Sequence, residues 1–444
     1  MRLGVAAGVC LLAIGSCSLP ELFGVGEDFI TIRDHRFIHR GEASVFCGAN
    51  MWYGAYLGTP GSAQNRERLI RELDRLAALG VTNLRILAAS EQSAIRRSVR
   101  PAVQLSPGTY NDTLLLGLDY LLSEMAKRDM HAVLYLGNYW EWSGGFTQYN
   151  VWSGGPLIDP EVTGHTWAEY MDYAASLYAN ARALELYRST VRTIVTRRNT
   201  VTGRLYRDDP TIMAWQLANE PRPGSSDTVS FHFLPSFYRW IAETAALIKS
   251  HDPNHLVSTG SEGTIGTWSS DAFYIEAHAS PHIDYLTAHI WPSVWRWYDS
   301  DESDRTLAVA ESLTTAYVHR HLAMARALGK PLVIDEFGMI RDTRAISEKS
   351  PTTVRDRYYR HLYSLVLDST LSGGQIAGTN FWAWGGEGFG KNPDGMWRRG
   401  DPFTGDPPQE PQGLHSVFLS DTSTLAVIRT HAAALRSLER QSLP

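Results

Sequence analysis

Two hydrophobic rhythms alternate along this chain. Between positions 66 and 79, Leu69, Leu73, Leu76 and Leu79 recur at three- and four-residue spacing, which predicts an amphipathic helix. Short apolar runs bounded by polar residues predict strands over 45–50, 81–86, 131–136, 212–217, 256–259, 285–289, 331–334 and 377–382. Helical segments are expected over 66–79, 114–128, 168–197 as one long helix, 237–249, 307–328 and 353–367, with 424–438 closing the chain. Strand and helix in alternation build parallel βαβ units, and eight such strands predict a single (β/α)8 TIM barrel of the α/β class. A doubly wound sheet usually announces its nucleotide site by a glycine-rich first turn; CGANMWYG at the first strand is not GxGxxG.

A barrel of this kind assembles its site from the C-terminal ends of its strands. Those ends carry, in order, Asn50 and Trp52; Arg85; Asn138, Trp140 and Glu141; Asn219 and Glu220; His289 and Trp291; Asp335 and Glu336; and Trp382. Pro221, directly after Glu220, stops the fourth strand and turns the chain outward. Two carboxylates facing one cavity suit hydrolysis of a glycosidic bond. That reaction needs one protonated carboxyl to assist the leaving oxygen and one ionised carboxylate to attack the anomeric carbon. Arg85 suits the ionised partner, because a neighbouring cation holds a carboxylate pKa low, whereas the acid must be held up by burial or a negative neighbour. A separation of about 5–5.5 Å would mean retention, and about 6.5–9.5 Å inversion. Side chains alternate along a strand, so Asp335 is expected on the face opposite Glu336 in a structural role, and Glu141, directly after Trp140, outside the chemistry.

LANEP, VIDEFG and NFWAW, preceded by NLRI, resemble the retaining (β/α)8 enzymes of glycoside hydrolase family 5 in clan A. GANMWYG, YLGNYWEWSGGFTQYNVW, AHIWPSVWRWY and GDPPQEPQGLHSVF make the chain similar, more narrowly, to the β-mannanase subfamily, over about residues 46–418. The resemblance implies a retaining β-1,4-mannanase (mannan endo-1,4-β-mannosidase) with Glu220 as acid/base and Glu336 as nucleophile. It further implies Asn219 on the sugar 2-hydroxyl, Arg85 orienting Glu336, His289 lining the same subsite and Trp382 as the platform beneath that sugar. Asn138, Trp140 and Trp291 are the further subsite contacts it implies. One position departs from the pattern. The family usually carries a Tyr two residues after the sixth-strand His, bonded to the nucleophile, and this chain has Trp291. An indole donates one N–H and cannot mimic a phenol, so either another group supports Glu336 or Trp291 donates from a different angle. β-Mannan or manno-oligosaccharides are the implied partners. An exo-acting β-mannosidase or a β-1,4-glucanase of the same fold is the alternative, and a non-catalytic glycan-binding lipoprotein the distant one. The segments 139–167 and 291–304 bear on endo against exo action.

Composition changes the picture in three places. The 14 Trp and 20 Tyr are more aromatic surface than a core alone needs, and suit flat sugar rings. A net charge of −6 leaves no basic footprint, so nucleic acid is not an expected partner. No His/Cys/Asp cluster shows ligand spacing, so neither a metal nor a cofactor is expected. At the N-terminus, MRLGVAAGVCLLAIGSC holds one Arg and an apolar run too short to cross a bilayer. It ends in IGSC, which resembles a bacterial lipobox; a plain signal peptide is the alternative. Residues 1–17 are therefore expected to be a lipoprotein-type signal ending at a lipidated Cys17, 18–28 a tether and 29–444 the catalytic domain. The expected product is an exported monomer, held at a bacterial membrane only through that lipid or released. Cys10 leaves with the signal, so Cys47 has no partner for a disulfide.

Overall fold

The computed structural model of the chain describes residues 28–228 and 231–441; the signal segment, Cys17 and the tether through residue 27 lie outside the described residues. Eight parallel strands form one sheet: β1 (Phe46–Asn50), β2 (Asn83–Leu87), β3 (His131–Tyr135), β4 (Ile212–Gln216), β5 (Leu256–Ser258), β6 (Leu286–Ile290), β7 (Leu332–Phe337) and β8 (Ile376–Phe381). Their order, β5-β4-β3-β2-β1-β8-β7-β6, brings the first strand beside the last, with Phe46 opposite Gly378 and Ala49 opposite Phe381. The ladder is interrupted between β5 and β6. There Asp284 N donates to Val257 O at 2.8 Å, Val257 N to Asp284 Oδ2 at 2.7 Å, and His289 N to Glu262 O at 2.9 Å. The fold is the (β/α)8 barrel that the alternation predicts. Both faces of the sheet are covered, which is why its strands read as nearly continuous apolar runs.

The surrounding helices are α1 (Ala63–Leu79), α2 (Asp112–Ala126), α3 (Ala181–Val195), α4 (Leu234–His251), α5 (Asp271–His278), α6 (Ser303–Leu328), α7 (Thr353–Leu371) and α8 (Thr422–Gln441). In α1 the Leu69, Leu73 and Leu76 stripe is buried, Ser62 caps the start by accepting from Asn65 N, and Gly80 ends it in the left-handed region at φ +85°. A Cβ at Gly80 would fall 2.9 Å from the Ala432 methyl of α8, so the site demands glycine for packing as well as for φ.

The structure corrects the sequence reading in three places. The long helix expected over 168–197 is broken into Trp167–Ala175, a 3-10 turn at Ser176–Ala179, and α3. The breaker is Asn180, in extended backbone, whose side chain accepts from Arg182 N and Ala183 N and so starts a new helix. Helix α5, between β5 and β6, has too few periodic apolar positions to stand out in sequence. A small antiparallel sheet, Thr31–Arg33, Arg36–His39 and Glu42–Ser44, precedes β1. Its Phe37 stacks at 6.3 Å on Phe46 and edge-on at 5.4 Å against Tyr285. With Ile30, Met213, Leu256 and Val333 it forms an apolar cluster that closes the N-terminal end of the barrel. The opposite end is left open for the site.

Candidate active site

At the C-terminal end of the barrel, Arg85 of β2 is fully buried and organises its neighbours. Its Nε donates to Gln216 Oε1 at 2.8 Å and lies 3.0 Å from Asp335 Oδ2; Nη2 donates to Asn219 Oδ1 at 2.8 Å. Nη1 donates to Asn50 Oδ1 at 3.2 Å and, in a very short contact, to Glu336 Oε1. The guanidinium sits 4.6 Å over the ring of Tyr135. A buried arginine is tolerable only when its donors are matched in this way, and the charge-assisted bonds fix the orientation of each acceptor.

Asp335 is not on the face opposite Glu336. The register of β6 against β7 skips a residue, pairing Ala288 with Ile334 and His289 with Glu336, so Asp335 is the extra residue of a bulge. A bulge breaks the two-residue alternation. Both carboxylates therefore reach Arg85, and Asp335 also accepts from Gln216 Nε2 at 2.5 Å. Asp335 acts as the buried counter-charge that shares Arg85 with Glu336.

Glu220 follows β4 with its backbone at φ +48°, a strained conformation for a residue with a side chain, and its N–H donates to Gly260 O at 2.9 Å. Gly260 allows that approach, since a Cβ there would lie 1.9 Å from Ala218 O. The two oxygens of Glu220 have separate partners. Oε1 lies 2.7 Å from His289 Nδ1, and Oε2 accepts from Trp140 Nε1 at 2.6 Å. His289 Nδ1 is also 3.3 Å from Glu336 Oε2. Ligand atoms of Glu220, His289 and Glu336 lie within 4.8 Å of one another, so the two carboxylates face each other across a single imidazole nitrogen.

Burial alone would raise Glu220, but the hydrogen bond and charge of His289 reverse that and hold it down at about 2. Burial also opposes a charged His289. The charge of Glu336 and the contacts with Asp335 and Glu220 overcome it and raise the ring to about 10. The proton thus rests on His289, hydrogen-bonded to Glu220. Glu336 is pushed up to about 7 by burial, against the pull of His289 and Arg85. This inverts the order expected from sequence, in which Arg85 keeps Glu336 low, because burial is complete and Arg85 is shared with Asp335.

These groups open onto a cleft of about 560 Å³. Of the residues singled out in sequence, Trp140, Asn219, Glu220, Trp291, Glu336 and Trp382 line it. Arg85, His289 and Asn138 do not; each is wholly buried behind the wall. Asn138 is therefore not a surface for a ligand. Its Oδ1 accepts from Asn219 Nδ2 and Trp140 N, both at 3.1 Å, and its Nδ2 donates to Ser143, so it props the two residues that do face the cleft. Trp291 packs edge-on against Trp382 at 5.8 Å and His415 at 5.1 Å, and Glu336 is held by Arg85 and His289. The cleft wall also contains Glu141, Arg222, Glu262 and Glu410, which the sequence reading passed over or set aside. Glu262 had a readable signal, a carboxylate just beyond the end of the fifth strand, the one end left out of the series. Glu141, Glu262 and Glu410 are each pushed up to about 7, first by burial.

Among the described residues, two clusters bring three potential metal ligands within 4.8 Å: Glu220, His289 and Glu336, and Asp406, Glu410 and His415. The first is knit by hydrogen bonds that an ion would have to displace. In the second, Asp406 accepts from Gly413 N, His415 N and Ser416 N and so organises its own loop.

Over residues 27–440 the chain matches the model of the family described as GH family 5 beta-mannosidase-like. It is 30% identical to mannan endo-1,4-beta-mannosidase 1 of Oryza sativa subsp. japonica, over 98% of this chain and 92% of that protein. Among solved structures it is similar to the glycoside hydrolase family 5 mannosidase of Rhizomucor miehei, with a TM-score of 0.85, 34% identity, and 94% of this chain and 100% of that chain covered. The endo-1,4-beta-mannanase of Rhizomucor miehei shares the fold at 22% identity and a TM-score of 0.66, over 92% and 99% of the two chains. A barrel that places paired glutamates at the ends of its fourth and seventh strands, matched along almost its whole length by one family, belongs to glycoside hydrolase family 5, among its β-mannosidase-like members.

Proposed function

We propose that this chain is a retaining β-1,4-mannan hydrolase in which Glu336 is the nucleophile and Glu220 the general acid/base. The observation that carries the reading is the spacing of the pair. An oxygen of one lies within 4.8 Å of an oxygen of the other, with His289 between them, an approach closer than the separation of an inverting pair. Glu336 attacks the anomeric carbon while Glu220 gives a proton to the departing glycosidic oxygen, and a glycosyl ester forms on Glu336. Glu220 then takes a proton from water, which attacks the same carbon, frees Glu336 and restores the original configuration. The proton for the first step is stored in the Glu220–His289 contact. A sugar that strips water from this pair disfavours carboxylate and imidazolium together, and so moves the proton onto Glu220. Asn219, held by Arg85 and Asn138, offers its amide to the sugar 2-hydroxyl, and Trp382 supplies an apolar floor.

The substrate follows the relatives, the rice protein being named a mannan endo-1,4-beta-mannosidase. A second reading, release of single mannose units, is favoured by a specific feature. Gln409 and Glu410 form a wall of the cleft, and Arg97 pins that wall by donating to Gln409 O at 3.2 Å while pairing with Glu161 at 2.9 Å. The Rhizomucor miehei protein of similar length is named a mannosidase, and a variant of it was solved with mannosyl-fructose. A time course on mannohexaose, with cellohexaose in parallel, decides. Early mannobiose and mannotriose mean endo action, mannose alone means exo action, and cleavage of cellohexaose only overturns the substrate. Export with a lipid on Cys17 is part of the proposal, supported by the IGSC segment; among the described residues no helix is long and apolar enough to cross a membrane. Labelled palmitate that enters the protein but not its Cys17→Ala variant supports the anchor, and equal labelling refutes it.

A further inference from the structure

Both oxygens of Glu220 are reached through one residue, Glu262, which follows β5 and is 2% exposed. On one side, Glu262 Oε1 lies 2.5 Å from Arg222 Nε. The Arg222 guanidinium sits 4.9 Å over the Trp140 ring, and Trp140 Nε1 donates to Glu220 Oε2 at 2.6 Å. On the other side, the Glu262 carbonyl accepts from His289 N at 2.9 Å, and the His289 ring lies 2.7 Å from Glu220 Oε1. The contacts close a ring: Glu220, Trp140, Arg222, Glu262, His289, and back to Glu220. The Glu262 carbonyl also accepts from Tyr317 of α6 at 2.9 Å, which ties the ring to the outer helix layer.

We propose that Glu262 is a positioning residue for the acid/base: its carboxylate anchors Arg222, Arg222 holds the Trp140 indole, and the indole N–H holds the Glu220 carboxyl toward the leaving oxygen. The idea rests on the reading of Glu220 as acid/base. Above about pH 7, where Glu262 is ionised, it has a second effect through charge. Arg222 faces Glu220 as well as Glu262, and an arginine without its counter-ion pulls harder on the remaining carboxyl. The other titratable groups around Glu262 are His289 of β6, Tyr139 after β3, and Tyr317 and His321 of α6. Of these, His289 joins the ring directly, and the rest stay neutral near pH 7: burial raises both tyrosines well above their usual range and lowers His321 to about 4.

The test compares two substrates by kcat/KM, which reports the first bond-breaking step. Every bond of mannohexaose has a poor sugar leaving group and needs the acid; 2,4-dinitrophenyl β-mannoside does not. For Glu262→Gln we expect a loss of about ten-fold or more on mannohexaose, within the range of general-acid contributions, and less than about two-fold on the dinitrophenyl substrate. The alkaline limb of the mannohexaose profile should move to lower pH, because a negative charge is gone from beside the Glu220–His289 pair and their shared proton leaves more readily. Trp140→Phe, which keeps the ring and removes the N–H, should reproduce the leaving-group split and covers a Glu262 variant that does not fold. Equal losses on both substrates, or no loss on either, would overturn the proposal. Glu220→Ala on the same two substrates keeps the two claims apart: if it shows no split, the acid/base reading falls; if it alone shows one, only the role of Glu262 falls.

Discussion

His289 Nδ1 lies 2.7 Å from Glu220 and 3.3 Å from Glu336, so one imidazole nitrogen mediates between the two carboxylates. In the proposed mechanism its proton is the one the leaving group needs. Replacing the ring by an amide keeps a donor but removes the proton store. His289→Gln should lower kcat/KM on mannohexaose by about a hundred-fold, the middle of the range for general acid catalysis. Steady-state kinetics checks this; turnover within about two-fold of wild type would place the proton elsewhere.

The charge of Glu336 is first among the groups that raise His289. Glu336→Gln should therefore lower the pKa of that ring, and NMR titration of labelled histidine reads the shift directly. The same variant, like Glu220→Gln, should lose at least about a thousand-fold in kcat while keeping its thermal transition, as expected of groups that act on the reacting bond. An unmoved ring would show that the two side chains are not electrically coupled.

Stability should fall as pH rises above the acid range. Glu91, Glu141, Glu262, Glu336 and Glu410 are each pushed up to about 7 by burial. An unfolded glutamate titrates near about 4.3, so between these values the native state binds more protons than the unfolded chain. The stabilisation is complete below about 4.3 and disappears as pH climbs through 7. His289, raised to about 10, adds a loss of the same sign between about 6.5 and 10. Glu220 and Asp335, held low, act oppositely, and their contribution goes as pH falls below about 4. Calorimetry should find the highest Tm near about pH 5 and a decline toward about pH 8.5. A flat or rising curve over that interval would contradict the burial of these groups.

Asn180 both ends one helix and begins another. Asn180→Ala removes the acceptor for Arg182 N and Ala183 N and should cost about 1 kcal/mol, seen as a lower urea midpoint with unchanged slope. A loss of a few tenths or less would mean that water replaces the cap.

The barrel was legible because burial on both faces makes each strand an uninterrupted apolar run, and because the runs recur with helices between them. The strands of the N-terminal sheet escaped notice since three or four residues, Thr31–Arg33 and Glu42–Ser44 among them, cannot establish a period. Asn180 was hidden inside an apolar rhythm that resumes after it, and its capping role shows only once the backbone turns. That Glu220 and Glu336 meet at one cleft was readable from the order of the strands. What was not readable is which side chains face the cleft. Arg85, Asn138 and His289 sit at the right strand ends yet are covered by their own partners, and the bulge at Asp335 breaks the alternation on which the argument for that residue depended. Glu410 comes from a loop far along the chain, where no pattern precedes the fold.

The pairing of β1 with β8 joins Phe46–Ala49 to residues 378–381. Contacts so distant in sequence carry a large loop-closure entropy and form late. During synthesis β1 waits with one edge unpaired until residues 378–381 have been made. The barrel therefore closes only once β8 is available, and the proposed catalytic pair, which depends on β2, β4, β6 and β7 standing in one ring, comes into being only with that last closure.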